Sequence, residues 1–261
     1  MGVICLHDKA EIEAFLRQET ALHIYSLGDL DDFFWAYTQW YALQIEGEIQ
    51  ALALLYTALS PPILLALAPP HRLSALRELL TQMLPLLPRQ VYTHLSLGAE
   101  EVLKPVYQMA SYGIHYKMIL QDPDQLQNFL NPQAVRVTED HVSEITALYQ
   151  ASYPGNAFDP RMLDTGQFFG IWEDHLLVSI AGVHVYSPAY RVAAIGNVAT
   201  HPLYRNRGMG KAVTAALALS LLENVDHIGL NVKADNEPAL KSYQQLGFVV
   251  VSPYHEMMAT R

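Results

Sequence analysis

The chain has 261 residues, 51% of them hydrophobic, and a formal net charge of -10 at pH 7. This apolar content can fill one large core or two ordinary ones and argues against disorder. The acidic excess argues against binding to nucleic-acid phosphates. The only cysteine, Cys5, excludes a disulfide framework and a cysteine-based metal site, and we expect no bound metal. Without a leader or an apolar run of about 18 residues, the sequence predicts a cytoplasmic protein with no membrane contact.

The N-terminal half alternates helical and strand patterns. Residues 8–18 have helical spacing behind the capping residue Asp8. Residues 41–56 are typical of a hairpin that turns at Glu46 and Gly47. The later patterns predict a strand at 62–69, a helix at 71–84, a strand at 90–97, a helix at 99–113 and a strand at 114–121.

A polar segment with Pro123 and Pro132 separates the two halves. Proline and polar residues between periodic segments are typical of a connection between domains. We therefore predict a domain at 1–122, a linker at 123–133 and a second domain at 134–261.

The C-terminal half repeats the same order of elements. The patterns predict a helix at 138–154, hairpin strands at 167–172 and 176–187, a strand at 191–200, a helix from Met209, a strand at 227–234, a helix from Asn236 to Gly247 and a strand at 249–260. The hairpin turns are 127 residues apart, whereas Tyr107 and Tyr243 are 136 apart, so the second half has about nine extra residues. Both halves predict an α+β fold with a mixed sheet.

The segment "YRNRGMGK" lies between a strand and a helix of the second half and is a candidate for part of these extra residues. Arg205, Arg207 and Lys211 alternate there with Gly208 and Gly210. A glycine turn that opens directly into a helix directs free backbone N–H groups at one point, which attracts anions. The alternative is a surface turn with solvated charges.

Two common phosphate loops do not fit this segment. A Walker A loop needs glycine where Arg205 stands and Ser or Thr where Ala212 stands. A dinucleotide fingerprint needs a third glycine where Val213 stands. Neither of these two phosphate-loop patterns therefore applies to the segment.

"VATHPLYRNRGMGKAV" resembles the signature of the GNAT superfamily of N-acetyltransferases, in which a strand leads into [R/Q]-x-x-G-x-[G/A] and a helix. "NEPALKSYQQLGF", about forty residues later, is similar to the second motif of this family. The resemblance covers roughly residues 134–261 and implies the acyl-CoA N-acyltransferase fold there. The N-terminal half resembles that fold only in its element order, which suggests a tandem with a degenerate GNAT-like first domain.

This resemblance implies that the ligand is acetyl-CoA or another acyl-CoA, with its pyrophosphate at the start of the helix. Its pantetheine arm would pair with the preceding strand, which also presents an N–H to the thioester oxygen. Asn236 matches a residue that commonly bonds the pantetheine, and Tyr243 matches the tyrosine that donates toward the CoA sulfur. The residues implied in cofactor binding are Val198, Ala199, Thr200, Arg205, Asn206, Arg207, Gly208, Met209, Gly210, Lys211 and Asn236.

The general base is missing from its usual place. Many members of the family have Glu or Asp just before the signature strand segment, where this chain has Gly196 and Asn197. We assign no base, and the substitutes open to the chain are a water relay or the side chain of Glu173, Asp174, His184 or His255.

The segment "DLDDFFWAYTQWY" allows two interpretations. The residues that can form an acidic, aromatic wall for a cationic amine are Asp29, Asp31, Asp32, Phe33, Phe34, Trp35, Tyr37 and Trp40. They can also fill the N-terminal core and cap a helix, which is the more common use of such residues.

The sequence thus predicts a two-domain N-acetyltransferase that transfers an acetyl group from acetyl-CoA to a small-molecule or peptide amine. A CoA-binding regulatory or scaffolding module without turnover is the alternative, and transfer to a thiol or hydroxyl is a third. The sequence leaves the oligomeric state open.

Overall fold

The computed structural model describes residues 2–261, which form two compact units. Unit 1 contains the residues up to Lys117 together with Val232–Asp235 and Val250–Arg261. Unit 2 contains Met118–Asn231 and Asn236–Val249. The predicted division placed the whole of 134–261 in the second domain, whereas the final segment from Val250 belongs to unit 1.

Unit 1 is a mixed sheet covered by helices, in the strand order β1-β2-β3-β4-β5-β12-β6. Its core lies between α4 and the strands, where Leu76, Leu79, Leu80 and Met83 of that helix are buried. The elements are β1 Gly2–Leu6, α1 Lys9–Leu16, α2 Ile24–Gly28, α3 Asp32–Trp35, β2 Thr38–Ile45, β3 Glu48–Tyr56, β4 Ile63–Ala66, α4 Leu73–Met83, β5 Gln90–Ser96, β6 Gln108–Leu120 and β12 Phe248–Thr260.

The last strand completes the sheet of unit 1. β12 begins in unit 2, and its later part pairs antiparallel with β5, from Tyr254 opposite Ser96 to Thr260 opposite Gln90. Ala259 of this strand lies in the unit 1 core. Unit 1 therefore contains a strand that the chain supplies only after unit 2.

Unit 2 has the strand order β11-β10-β9-β8-β7. β10 pairs antiparallel with β9 and parallel with β11. Helix α6 is apolar around most of its circumference and packs on β9 and β10. The elements are β7 Val135–Arg136, α5 Val142–Ser152, β8 Phe169–Glu173, β9 Leu176–Ser187, β10 Val192–Thr200, α6 Met209–Leu222, β11 His227–Lys233 and α7 Glu237–Gln245.

The helix predicted at 99–113 is wrong. Only Ala99–Val102 is helical, as a 3-10 turn, and β6 already begins at Gln108. Pro105 explains the break, because proline lacks a backbone N–H and disfavours the helical conformation of the residue before it. Tyr107 therefore lies outside any helix, so the count of about nine extra residues compared positions that are not equivalent.

The predicted connection is ordered. Pro123–Phe129 forms a 3-10 helix, and its Leu126 is fully buried. This helix packs against α6 within unit 2. In the described range 2–261, no helix combines the length and the apolar character that a bilayer span requires.

Gly247 ends α7 as predicted, and its conformation allows a testable prediction. Its φ is +92°, and a Cβ there would lie 2.0 Å from the carbonyl oxygen of Asp122. We expect Gly247→Ala to lower the free energy of unfolding by about 2–4 kcal/mol, since the left-handed backbone and the backbone clash both act against it. Urea denaturation monitored by circular dichroism measures this loss. Gly2→Ala, where a Cβ meets nothing within 4 Å, is the control, and an equal change in both variants would contradict the prediction.

Candidate active site

The strand β10 parts from β11 halfway along its length. The parallel pairing joins Val192–Ile195 to His227–Leu230, and β10 continues beyond it to Thr200. On its other side, β10 stays paired with β9, with Ala199 opposite Ile180 and Thr200 opposite Ser179. The β11-facing edge of β10 is thus free of that ladder from Gly196 to Thr200.

A β-bulge lies at the start of this freed edge. Gly196 pairs with Gly182 and Ala199 with Ile180, so Asn197 and Val198 lie opposite a single residue of β9. Such bulges bend a strand and turn its backbone groups away from the regular ladder, often beside active sites.

Asn197, the first residue of the bulge, has a left-handed backbone conformation. Its φ is +54°, a value that asparagine adopts more readily than most residues. Its side chain is 3% exposed, and its backbone carbonyl accepts a hydrogen bond of 2.8 Å from the Tyr149 hydroxyl of α5. The bulge is therefore fixed from the helix side by a buried tyrosine.

After β10 the chain forms a short 3-10 helix at Pro202–Tyr204 and then enters α6 through Gly208. Gly208 is the N-cap residue of α6, has a φ of +80°, and makes no side-chain cap. The first N–H groups of a helix have no partner within it. The 14-residue helix α6 therefore begins with exposed amide donors and the positive end of its dipole.

The basic side chains of the loop differ in their environment. Arg205 donates to the backbone carbonyl of Thr200, and Arg207 lies over the Tyr204 ring, with both guanidinium groups exposed. The Lys211 ammonium instead donates to Gln245 at 2.8 Å and lies 4.5 Å from the centre of the Phe129 ring. The two arginines are thus the charged groups that remain open to a ligand, whereas Lys211 is engaged.

Gly210 brings α6 close to the end of β10. A Cβ at this position would lie 3.2 Å from the Thr200 hydroxyl oxygen, closer than an ordinary van der Waals contact. That hydroxyl also lies 2.9 Å from the Ser179 hydroxyl of β9. The small residue therefore lets the helix start lie directly against the freed strand.

Two predicted residues lie on α7. Asn236 is its N-cap and accepts a hydrogen bond from the Ala239 amide through its side-chain oxygen, so its side-chain NH2 remains a donor. Burial, with a smaller effect of the nearby Tyr153 phenol, raises the pKa of Tyr243 to about 12. Tyr243 is therefore a neutral hydroxyl donor across the physiological range.

The substitutes for a base lie in different places. Asp174 is exposed in the hairpin turn beside half-buried Glu173. His255 belongs to unit 1, where its Nδ1 lies 3.1 Å from a Glu100 oxygen. His184 alone lies against the bulged strand, where it covers Gly196.

The acidic aromatic segment divides between core and surface. Trp40 is 1% exposed in β2, and Phe33 is 68% exposed. Asp31 caps α3, as the second interpretation expected, while Asp29 is buried. Burial raises the pKa of Asp29 to about 7 against the opposing charge of Lys117. These residues do not form one continuous wall.

Unit 1 differs at the position that corresponds to the freed edge. β4 and β5 pair in parallel as far as Ala66 and Leu95. Just beyond, the buried Ser96 hydroxyl accepts from the Ala68 amide at 2.9 Å and donates to the Ala68 carbonyl at 3.0 Å. The hydroxyl thus bridges the two segments where β10 and β11 separate in unit 2.

Sequence reasoning missed the bulge, the Tyr149 contact and the Ser96 bridge. An asparagine after a glycine in a strand was a signal for the bulge. The other two features depend on residues 48 and 28 positions apart, for which the sequence gives no local pattern.

Comparisons with known proteins agree with this geometry. A sequence model of the acetyltransferase (GNAT) family matches residues 134–248. A mycothiol acetyltransferase from Corynebacterium aurimucosum is 29% identical over 107 residues, which are 37% of this chain and 34% of that protein. The chain thus spans about a third of the length of this curated relative.

Two solved structures share the fold. One is a GNAT-family acetyltransferase from Novosphingobium aromaticivorans, with a TM-score of 0.58 and 23% sequence identity. The match covers 76% of this chain and 84% of that protein. A tandem GNAT protein from the clavulanic acid biosynthesis pathway has a TM-score of 0.57 at 14% identity, over 98% of this chain and 97% of its own. At these identities the likeness concerns the fold alone.

The sheet, the bulged strand and the glycine-capped helix define an acetyltransferase fold of the GNAT class. The segment 134–248 matches the GNAT acetyltransferase family, and the predicted fold class and family resemblance are confirmed. GNAT enzymes use acetyl-CoA as the acyl donor. Among residues 2–261, no group of His, Cys, Asp and Glu side chains is arranged to hold a metal ion.

Proposed function

We propose that unit 2 binds acetyl-CoA and transfers its acetyl group to the amine of a small molecule or peptide. The observation that carries this proposal is the junction of the freed β10 edge with the open N-terminus of α6 at Gly208. The free strand edge is followed in the chain by the helix start, and the two lie against each other. Such an arrangement suits a ligand in which an amide-rich arm is joined to a pyrophosphate.

The pyrophosphate would lie at the start of α6, where the backbone amides from Gly208 to Lys211 supply donors. Arg205 and Arg207 add positive charge at the rim in a chain that is otherwise acidic. Met209 and Asn206 contribute through their backbone, and Asn206 has a φ of +63°, which shapes the turn.

The pantetheine arm would pair with the free edge from Val198 to Thr200, and Asn236 would contribute its side-chain donor. A backbone amide of the bulge at Asn197 and Val198 can then stabilise the negative charge that develops on the thioester oxygen. Such stabilisation is commonly the largest single contribution to catalysis of acyl transfer. Tyr243 would protonate the departing thiolate, a role that suits a hydroxyl held neutral by its raised pKa.

A CoA-binding module without turnover is the second candidate. The observation that favours it is the composition of β10, whose residues Val192–Thr200 include no acidic side chain. Binding would then proceed as described, and the bound thioester would not react with an amine.

Two measurements on the full chain test the proposed function. In thermal denaturation, acetyl-CoA at about 100 times its Kd adds about 2.7 kcal/mol of stability and raises Tm by several degrees. Release of free CoA thiol is then followed with a panel of amines. Absence of stabilisation by any CoA species overturns both candidates, whereas stabilisation without thiol release on any amine favours the module.

We expect one acetyl-CoA to bind per chain. In unit 1, Ser96 bridges the segments that would have to part, and the residues from Ala66 to Leu73 include no glycine before α4. Isothermal titration calorimetry should give a stoichiometry of about one. Ser96→Ala is expected to leave that value unchanged, because unit 1 also lacks the glycine-opened helix start. A stoichiometry of two in the wild type contradicts the assignment.

A further inference from the structure

His184 occupies the space beside β10 in which a side chain at position 196 would lie. A Cβ built on Gly196 would be 1.8 Å from the His184 Cδ2 atom and 2.2 Å from its Nε2 atom. No residue other than glycine at 196 can coexist with this imidazole position. Gly196 directly precedes the bulge at Asn197 and Val198, so the imidazole lies next to the segment assigned to the thioester.

The His184 ring nitrogens are not used by the fold. Among residues 2–261, His184 makes no hydrogen bond and no ion pair. A half-buried imidazole with both nitrogens unengaged can exchange a proton with a ligand or with water.

The lowered pKa of His184 keeps its ring neutral at physiological pH and also makes it a weak base, so a proton that it accepts must pass on to water. Burial lowers its pKa to about 4, and no charged neighbour contributes to this shift. A depressed pKa means that the ring is neutral above about pH 5 and has a lone pair available. The imidazolium that forms on accepting a proton is correspondingly acidic and returns the proton readily to water.

The elements packed around β9 are α5, α6, β8, β10 and the 3-10 helix Pro160–Thr165, and β10 itself has no charged side chain. Most charged groups on the others are held in contacts elsewhere, which are Glu144 with Trp172, Lys211 with Gln245, Arg161 with Asp159, and Asp164 with Glu139. Glu173 of β8 lies opposite Leu176 at the hairpin turn, eight residues along β9 from His184. The His184 imidazole of β9 is therefore the proton acceptor that lies against the bulged segment of β10.

We propose that His184 accepts the proton of the acceptor ammonium group, directly or through one water, in the amine acetylation proposed above. This inference rests on that function. The ammonium gives one proton to His184, and the freed amine forms its C–N bond with the thioester carbonyl carbon. The C–S bond then breaks and the thiolate takes the second amine proton by way of Tyr243. His184 then releases its proton to water, so the products are the N-acetylated amine, the free CoA thiol and one proton.

The test compares wild type, His184→Ala and His184→Gln with an α-amine and a lysine-type ε-amine as acceptors. At pH 7 we expect kcat/KM to fall about 100-fold in both variants, the lower end of the range for acid–base groups. The loss should shrink as the amine sheds its own proton, near pH 8 for the α-amine and above pH 10 for the ε-amine. The Kd for acetyl-CoA should stay unchanged.

Gly196→Ala provides an independent variant, since its Cβ must displace the imidazole and should reproduce the same pH-dependent loss. His71→Ala, an exposed histidine of unit 1, is the matched control and should behave as wild type. A defect that is equal at all pH values and for both amines, or full activity in both His184 variants, overturns this assignment while the proposed function stands. A wild type that binds acetyl-CoA but acetylates neither amine overturns the proposed function as well.

Discussion

Replacing Gly208 with Val is expected to weaken acetyl-CoA binding by at least about 100-fold. The backbone at this N-cap has a φ of +80°, which costs a β-branched residue about 1–3 kcal/mol. The loop can escape that strain only by moving the amides that start α6, and the new side chain would also cover them. Isothermal titration calorimetry with acetyl-CoA measures the loss.

Gly47→Val is the matched control for this variant. Gly47 has a φ of +86°, and a Cβ there meets nothing within 4 Å, as at Gly208. It lies in the hairpin turn of unit 1, so the same backbone strain should lower stability without changing the Kd. Unchanged affinity in Gly208→Val, or an equal loss in both variants, refutes the assignment of the loop.

The Tyr243→Phe variant is expected to bind acetyl-CoA as the wild type does and to lose about 100- to 1000-fold in kcat, in the range for a general acid. The phenol is half-buried and its ring packs edge-on against Phe248 with centroids 6.1 Å apart. Phenylalanine preserves that packing and removes only the proton donor. Steady-state kinetics and calorimetry together separate the two effects.

The pH dependence of the wild type adds to this test. Because the pKa of Tyr243 is raised to about 12, the phenol keeps its proton in moderately alkaline solution. Ionisation of Tyr243 should therefore cause no loss of activity at pH values up to about 10. Tyr112→Phe, at an exposed tyrosine of unit 1, is the control. Full activity in Tyr243→Phe excludes the acid role, and weakened CoA binding would make Tyr243 a binding residue instead.

The local features of the candidate site could be predicted because their signals lie in short stretches of sequence. Gly208 and Gly210 indicated the turn into α6, and Asn236 and Gly247 indicated the ends of α7. A positive φ favours glycine at 208 and 247, the close Thr200 hydroxyl favours glycine at 210, and the side chain of Asn236 caps its own helix. The predicted roles of these residues toward acetyl-CoA remain predictions.

The features that could not be predicted depend on distant parts of the chain. The pairing of β12 with β5 joins residues about 160 positions apart, and strand periodicity does not specify a partner. The false helix at 99–113 came from apolar spacing that Pro105 overrides. His184 could be named from sequence only as one of several candidates, because its contact with Gly196 arises from the register of β9 and β10.

The placement of β12 has a consequence for how the protein is made. During synthesis the ribosome completes residues 118–231 and 236–249 of unit 2 before residues 250–261, which fill the sheet beside β5. Until then β5 has an open edge, and such edges favour pairing with other chains. Cutting the chain at 123–133 would leave the N-terminal fragment with this edge exposed, so the two halves should be less soluble apart than together.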